Sequence, residues 1–163
     1  MKMKKETIFK IVFSLIKSDT SDFDREAVTR ALNISPTENA APRLSKGRAC
    51  AKDTIGNENA TPGLTFINTG EATSRIMIHA SWSVELPPVA SLSVDEPLNK
   101  LADMLSGKKD EINRLCNDYG LFSDITVTVY SGYDCLPEMC ISNKNVSFCA
   151  SVNASLNFDL ILD

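Results

Sequence analysis

The chain holds one histidine and five cysteines, and these limit the chemistry it can do. Serine and cysteine nucleophiles need a base, usually histidine, to take up a proton as they attack. Only His79 is of that type. It lies within an alternating stretch, away from the loop ends where sites gather. We read it as a surface histidine and assign no catalytic residue. Cys50, Cys116, Cys135, Cys140 and Cys149 are irregularly spaced. Cys135 and Cys140 have no matching second pair, which a zinc ribbon requires. No metal and no cofactor is therefore expected, and the thiols read as reduced. Lys46-Gly47-Arg48 lacks the glycine spacing and following helix of a phosphate loop. Carboxylates are plentiful, yet nothing singles out a pair of the kind glycosidases use.

A chain of 163 residues is expected to form one domain with a real core, and 43% apolar with 23% charged residues is globular composition. The net charge of −4 and the pI near 5.1 argue against sequence-independent nucleic-acid binding and leave room for a basic protein partner. The basic start Met1–Lys5 and the apolar run Ile8–Ile16 superficially resemble a signal peptide. Lys10 interrupts that run, Lys17 closes it, and no small-residue cleavage site follows. No apolar run approaches the roughly 20 residues of a membrane span. A cytoplasmic chain without a membrane partner is the expectation.

The elements that must position any site follow from periodicity. Between Arg75 and Leu86, Ile76, Ile78, Ala80, Trp82, Val84 and Leu86 alternate with more polar residues, which predicts one central, half-buried strand. Trp82 should point inward and His79 outward. Residues 7–17 read as a first strand whose second face is also partly apolar. Phe23, Ala27, Val28, Ala31 and Leu32 form the stripe of a first helix that starts near Ser21–Asp24 and is closed by Asn33 and Pro36. Residues 36–74 are irregular, with short strands expected at Asn39–Leu44 and Leu64–Asn68 and a mobile tip at Ala51–Ala60. A long helix, about Asp95–Tyr119, is capped by Asp95, carries Leu98, Leu101, Leu105 and Leu115 inward, and meets a possible break at Gly107. A strand at Ser123–Ser131, a short one at Glu138–Ser142, a weak helix to about Asn153 with Val146, Cys149 and Val152 buried, and a terminal strand at 156–162 complete the chain. The fold class is α+β, with a mixed, largely antiparallel sheet and helices packed mainly on one face, in the order β-α-(irregular)-β-α-β-β-α-β. Trp82, Ile78, Leu101, Leu105 and Leu115 are its expected core.

The helix exit Leu32-x-Ile34-x-Pro36-Thr37, the pair Lys46-Gly47 and the pair Trp82-Ser83 resemble the pattern of a bacterial domain family of unknown function. This chain departs from it in a longer segment between Lys46-Gly47 and Trp82. Some members of that family are similar to immunity proteins of polymorphic toxin systems, of the contact-dependent inhibition or type VI secretion type. The resemblance implies a non-enzymatic protein that binds and neutralises the C-terminal domain of a cognate toxin. The candidate partner-binding residues are Asp19, Asp22, Asp24 and Glu26 in an acidic turn, Asp53, Asn57 and Glu58 in the irregular segment, and Tyr130 and Tyr133 in an aromatic turn. A small-molecule-binding regulatory domain is the second reading, and a small enzyme the third.

Overall fold

The computed structural model describes residues 7–17, 21–37, 43–46, 64–68, 73–132 and 136–162, with backbone alone for 43–46, 64–68 and 73–79. In chain order the elements are β1 (Ile8–Lys17), α1 (Arg25–Leu32), β2 (Arg43–Lys46), β3 (Leu64–Asn68), β4 (Thr73–His79), β5 (Ser81–Glu85) and β6 (Val89–Ala90). They continue with α2 (Asp95–Leu105), α3 (Lys109–Tyr119), β7 (Leu121–Ser131), α4 (Asn143–Ser151) and β8 (Ala154–Leu162). Strands β5-β1-β7-β8 form one sheet in that order, with β6 beside β1, and β2-β4-β3 form a second. Every pairing is antiparallel except β7 with β8. The fold is α+β, with a mixed, largely antiparallel main sheet.

The core lies between this main sheet and the helices. Phe9, Ile11, Phe13 and Leu15 of β1 meet Ile125, Val127 and Val129 of β7, as strict alternation demands, and all are buried. Val28 and Leu32 of α1, Leu98, Leu101 and Leu105 of α2, and Ile112 and Leu115 of α3 join the same cluster. Each such aliphatic side chain removed from water contributes about 1.5–3 kcal/mol. Trp82 is 0% exposed, and its indole N–H donates to Thr29 Oγ1 of α1 at 3.0 Å, so the large ring is buried with its one polar group paired. Lysines from elsewhere close two helix ends: Lys108 Nζ donates to the Leu32 carbonyl of α1, and Lys17 Nζ to the Tyr119 carbonyl of α3.

The alternating stretch Arg75–Leu86 is two strands in different sheets, not one central strand. His79 still pairs with Arg43 in the second sheet, whereas the Ala80 carbonyl accepts the Lys17 N–H at 2.8 Å and Trp82 pairs with Leu15. Both strands need period two, so the pattern runs through the break unmarked. Strand β5 ends the main-sheet order, and β1 and β7 are its interior strands. Ser81 and Ser83, on the more polar face of the pattern, are buried, and Ser83 Oγ is 2.9 Å from Ser14 Oγ on the neighbouring strand. The side chains of His79 and Ile78 lie outside the described residues, as does the segment Ala51–Ala60.

The long helix is split at Ser106–Lys108 by one 3-10 turn containing Gly107. Its start differs too. Val94 is the N-cap and Ser93 Oγ accepts the Asp95 N–H at 3.3 Å, which frees the Asp95 carboxylate for another helix. Asp95 Oδ1 accepts the Ser142 N–H at 2.9 Å and Asn145 Nδ2 at 2.7 Å, so the residue read as the cap of α2 ties down the start of α4. Burial pushes this carboxyl up, but the Ser142 amide and the Asn145 side chain outweigh it, and it titrates below the usual aspartate value.

That tie corrects the C-terminal reading. Glu138–Ser142 is no strand; it makes one isolated bridge, Glu138 with Ser93. In α4 the inward positions are Asn145, Phe148 and Cys149, with buried Val152 just past its end, while Val146 is 53% exposed. The polar Asn145 holds an inward position because Asp95 receives its amide. Of the strand expected at Asn39–Leu44, Arg43 and Leu44 lie in β2, and residues 39–42 lie outside the described residues.

Candidate functional site

The acidic turn is occupied by local structure. Asp22 Oδ1 accepts the Phe23 N–H at 2.9 Å and lies 3.1 Å from Arg25. Asp24 caps α1 by accepting the Ala27 N–H at 2.9 Å, and its other oxygen is 3.8 Å from Arg30. Glu26 stands exposed in the first turn. These carboxylates hold the helix start and converge on nothing. Asp19, Asp53, Asn57, Glu58 and Tyr133 lie outside the described residues. Tyr130 is the candidate that the fold places on a built surface.

That surface follows from register. On the sheet face away from the core, Ile8 of β1 pairs with Tyr130 of β7, and Tyr130 pairs with Ile161 of β8. The three are 42%, 40% and 42% exposed, a row of large side chains across three strands. Two residues along, the row is Lys10, Thr128 and Asp159; then come Val12, Thr126 and Asn157, and Ser14, Asp124 and Ser155. Ile16 and exposed Phe122 end the face. An apolar row at either end thus bounds a polar belt. The β1–β5 side of this face is closed, since Val12, Ser14, Ser81 and Ser83 are buried, so the open part lies over β7 and β8.

Charge on the face is mostly negative. Lys10 pairs with Glu85 at 3.1 Å, and Asp124 accepts Asn157 Nδ2 at 2.6 Å and the Thr126 hydroxyl at 2.9 Å. Asp159 is exposed and has no ion pair or hydrogen bond among the described residues. On the opposite, core-side face of β8, Phe158 and Leu160 remain 39% and 54% exposed. The C-terminal half of β8 therefore shows apolar side chains on both faces.

Ile8, Phe122, Phe158, Leu160 and Ile161 were not among the sequence candidates. A signal existed: aliphatics fall on both faces of the first and last strands. Their union into one surface depends on β1, β7 and β8 becoming neighbours, which no local pattern states.

The remaining chemistry is sparse. Among the described residues no three His, Cys, Asp or Glu side chains gather as metal ligands. Cys116, Cys140 and Cys149 are free, and burial pushes the thiols of Cys116 and Cys149 up, away from the reactive thiolate. Cys116 lines a small groove of about 200 Å³ with Asn113, Asn117, Phe122 and Asn153. A more open groove of about 420 Å³ runs between Leu86–Ala90 and the Glu96 and Lys100 side chains of α2. No described helix is long and apolar enough to cross a membrane.

No curated protein and no solved structure matches the chain. A family model does, over residues 7–163, nearly the whole length and every element described above. The chain belongs to the DUF4279 family, a domain of unknown function.

Proposed function

We propose that this protein acts by binding another protein, and that the partner is the C-terminal domain of a cognate bacterial toxin, which it neutralises stoichiometrically. The observation that carries the reading is the exposed row Ile8, Tyr130 and Ile161, continued around β8 by Phe158 and Leu160. Contiguous large apolar side chains with a polar border are what partners bury, and aromatic residues supply much of the energy at such centres. The toxin as partner rests on the resemblance of the Leu32–Thr37, Lys46-Gly47 and Trp82-Ser83 motifs to a family with immunity-like members. The test begins with the adjacent gene. Cells expressing a toxin domain encoded there should survive only when this protein is co-expressed, and the two should co-purify at fixed stoichiometry. Neither binding nor protection would overturn the proposal.

A regulatory small-molecule role is the second reading, favoured by the open groove beside Leu86–Ala90. A thermal-shift gain from a small molecule, lost on Lys100→Glu, would support it over the toxin reading.

A further inference from the structure

We propose that the outer edge of β8 is a strand-docking site, which adds an extended segment carrying apolar and basic residues from a protein partner to the main sheet. The proposal rests on the protein-binding reading and says how the partner is held.

The two ends of the main sheet are finished differently. At β5, Thr37 closes the edge: its N–H donates to the Ser83 carbonyl at 3.0 Å, and its hydroxyl accepts the Glu85 N–H at 2.8 Å. At β8, β7 is the only pairing strand among the described residues. Among the described residues, one of the two rows of backbone N–H and C=O groups along Ala154–Leu162 therefore faces outward without a strand. Soluble proteins blunt such edges with lysine, proline, bulges or short length. Strand β8 has none of these: it is nine residues long, its register with β7 advances without a bulge, and Asp159 is its one charge. An added strand would find Phe158 and Leu160 exposed on one face and Ile161 on the other, the alternate side-chain sites that give strand addition its specificity.

Charge selects the occupant. Asp159 has no ionic partner among the described residues, and the face around it carries Glu85, Asp124 and Asp159 against Lys10 alone. A lysine or arginine on the incoming strand satisfies that excess. A second copy does not. Antiparallel self-pairing centred near Phe158 or Asp159 would place two Asp159 carboxylates about 5–8 Å apart, between chains that each carry −4.

The test uses full-length protein and three nine-residue peptides: one alternating valine and lysine, one alternating valine and glutamate, and the lysine peptide N-methylated at alternate residues. The lysine peptide should bind and slow amide exchange along residues 154–162, the glutamate peptide should not bind, and N-methylation should abolish binding. Asp159→Lys and Leu160→Asp, both at exposed positions and checked for folding by circular dichroism, should each weaken the lysine peptide at least tenfold. Binding that survives N-methylation, protection confined to other strands, no binding of the lysine peptide, or a wild-type dimer joined through β8 would overturn the proposal. A toxin domain that binds with affinity unchanged by both variants would also overturn strand docking while leaving the protein-binding reading intact. Peptide binding with no toxin binding would remove the toxin and keep the edge.

Discussion

The tie between α2 and α4 can be broken one atom at a time. Asp95→Ala removes the acceptor of two donors, the Ser142 amide and the Asn145 side-chain amide, the latter on a residue 1% exposed whose Oδ1 has no partner. A donor that loses its acceptor costs about 1–3 kcal/mol, and with partial relief of Asn145 Nδ2 from the Asp95 carbonyl and Asn99 Oδ1, each at 3.3 Å, the pair should cost about 3 kcal/mol. In a chain of this length that lowers Tm by roughly 6–12 °C. Asp95→Asn keeps an acceptor oxygen in place and loses only charge assistance, about 1 kcal/mol. The titration of Asp95 is depressed on folding, so its contribution is present above the unfolded-state value of about 3.9 and is lost as pH falls through the lower folded value. The gap between wild type and Asp95→Asn should therefore close below about pH 4. Urea unfolding at pH 7 and pH 3 measures both effects, and a double-mutant cycle with Asn145→Ala should give a coupling of about 1–2 kcal/mol. A loss below about 1 kcal/mol for Asp95→Ala, or strict additivity with Asn145→Ala, would refute the reasoning.

Trp82→Ala should destabilise by about 3–5 kcal/mol in urea, and the native fluorescence should be blue-shifted and protected from iodide because the ring is fully buried. Gly120→Ala should cost about 1 kcal/mol by thermal unfolding, since the residue closes α3 at φ +62° and an added Cβ meets nothing nearer than Lys17 Nζ at 3.5 Å. Among the described cysteines, peptide mapping after brief iodoacetamide treatment should find Cys140 labelled first, half-buried Cys116 more slowly, and buried Cys149 last.

What the residues disclosed in advance was whatever depends on near neighbours. The inward row of β1, the Asn33 exit of α1 at φ 49°, the Gly120 stop and the burial of Trp82 all follow from local pattern. What escaped was set by distant contacts. Nothing between Arg75 and Leu86 marks the change of sheet at Ala80, because alternation serves both ladders equally. Asp95 looks like a cap until Ser142 and Asn145 come within reach, some 50 positions away. Val146, expected to be buried, stands exposed, and Phe148, for which nothing was expected, takes an inward place. The candidate surface was legible only in part: Tyr130 was named for being aromatic, whereas Ile8 and Ile161 became its neighbours through pairings that span the chain.

Those pairings have a kinetic consequence. Thr7, just before β1, meets Ser131, at the foot of β7, 124 positions away in the chain, and β1 lies inside the sheet. Closing so long a loop costs roughly 4 kcal/mol beyond a constant before any ladder contact repays it. The ten-residue β1–β7 ladder should therefore form late and as one unit. While a ribosome is still making the segment that contains β7, β1 can pair only with the short β5 and β6, and its other backbone edge must wait in water or on a chaperone. Refolding from urea should accordingly be slow for the protein's size, with protection of β1 amides appearing together with those of β7.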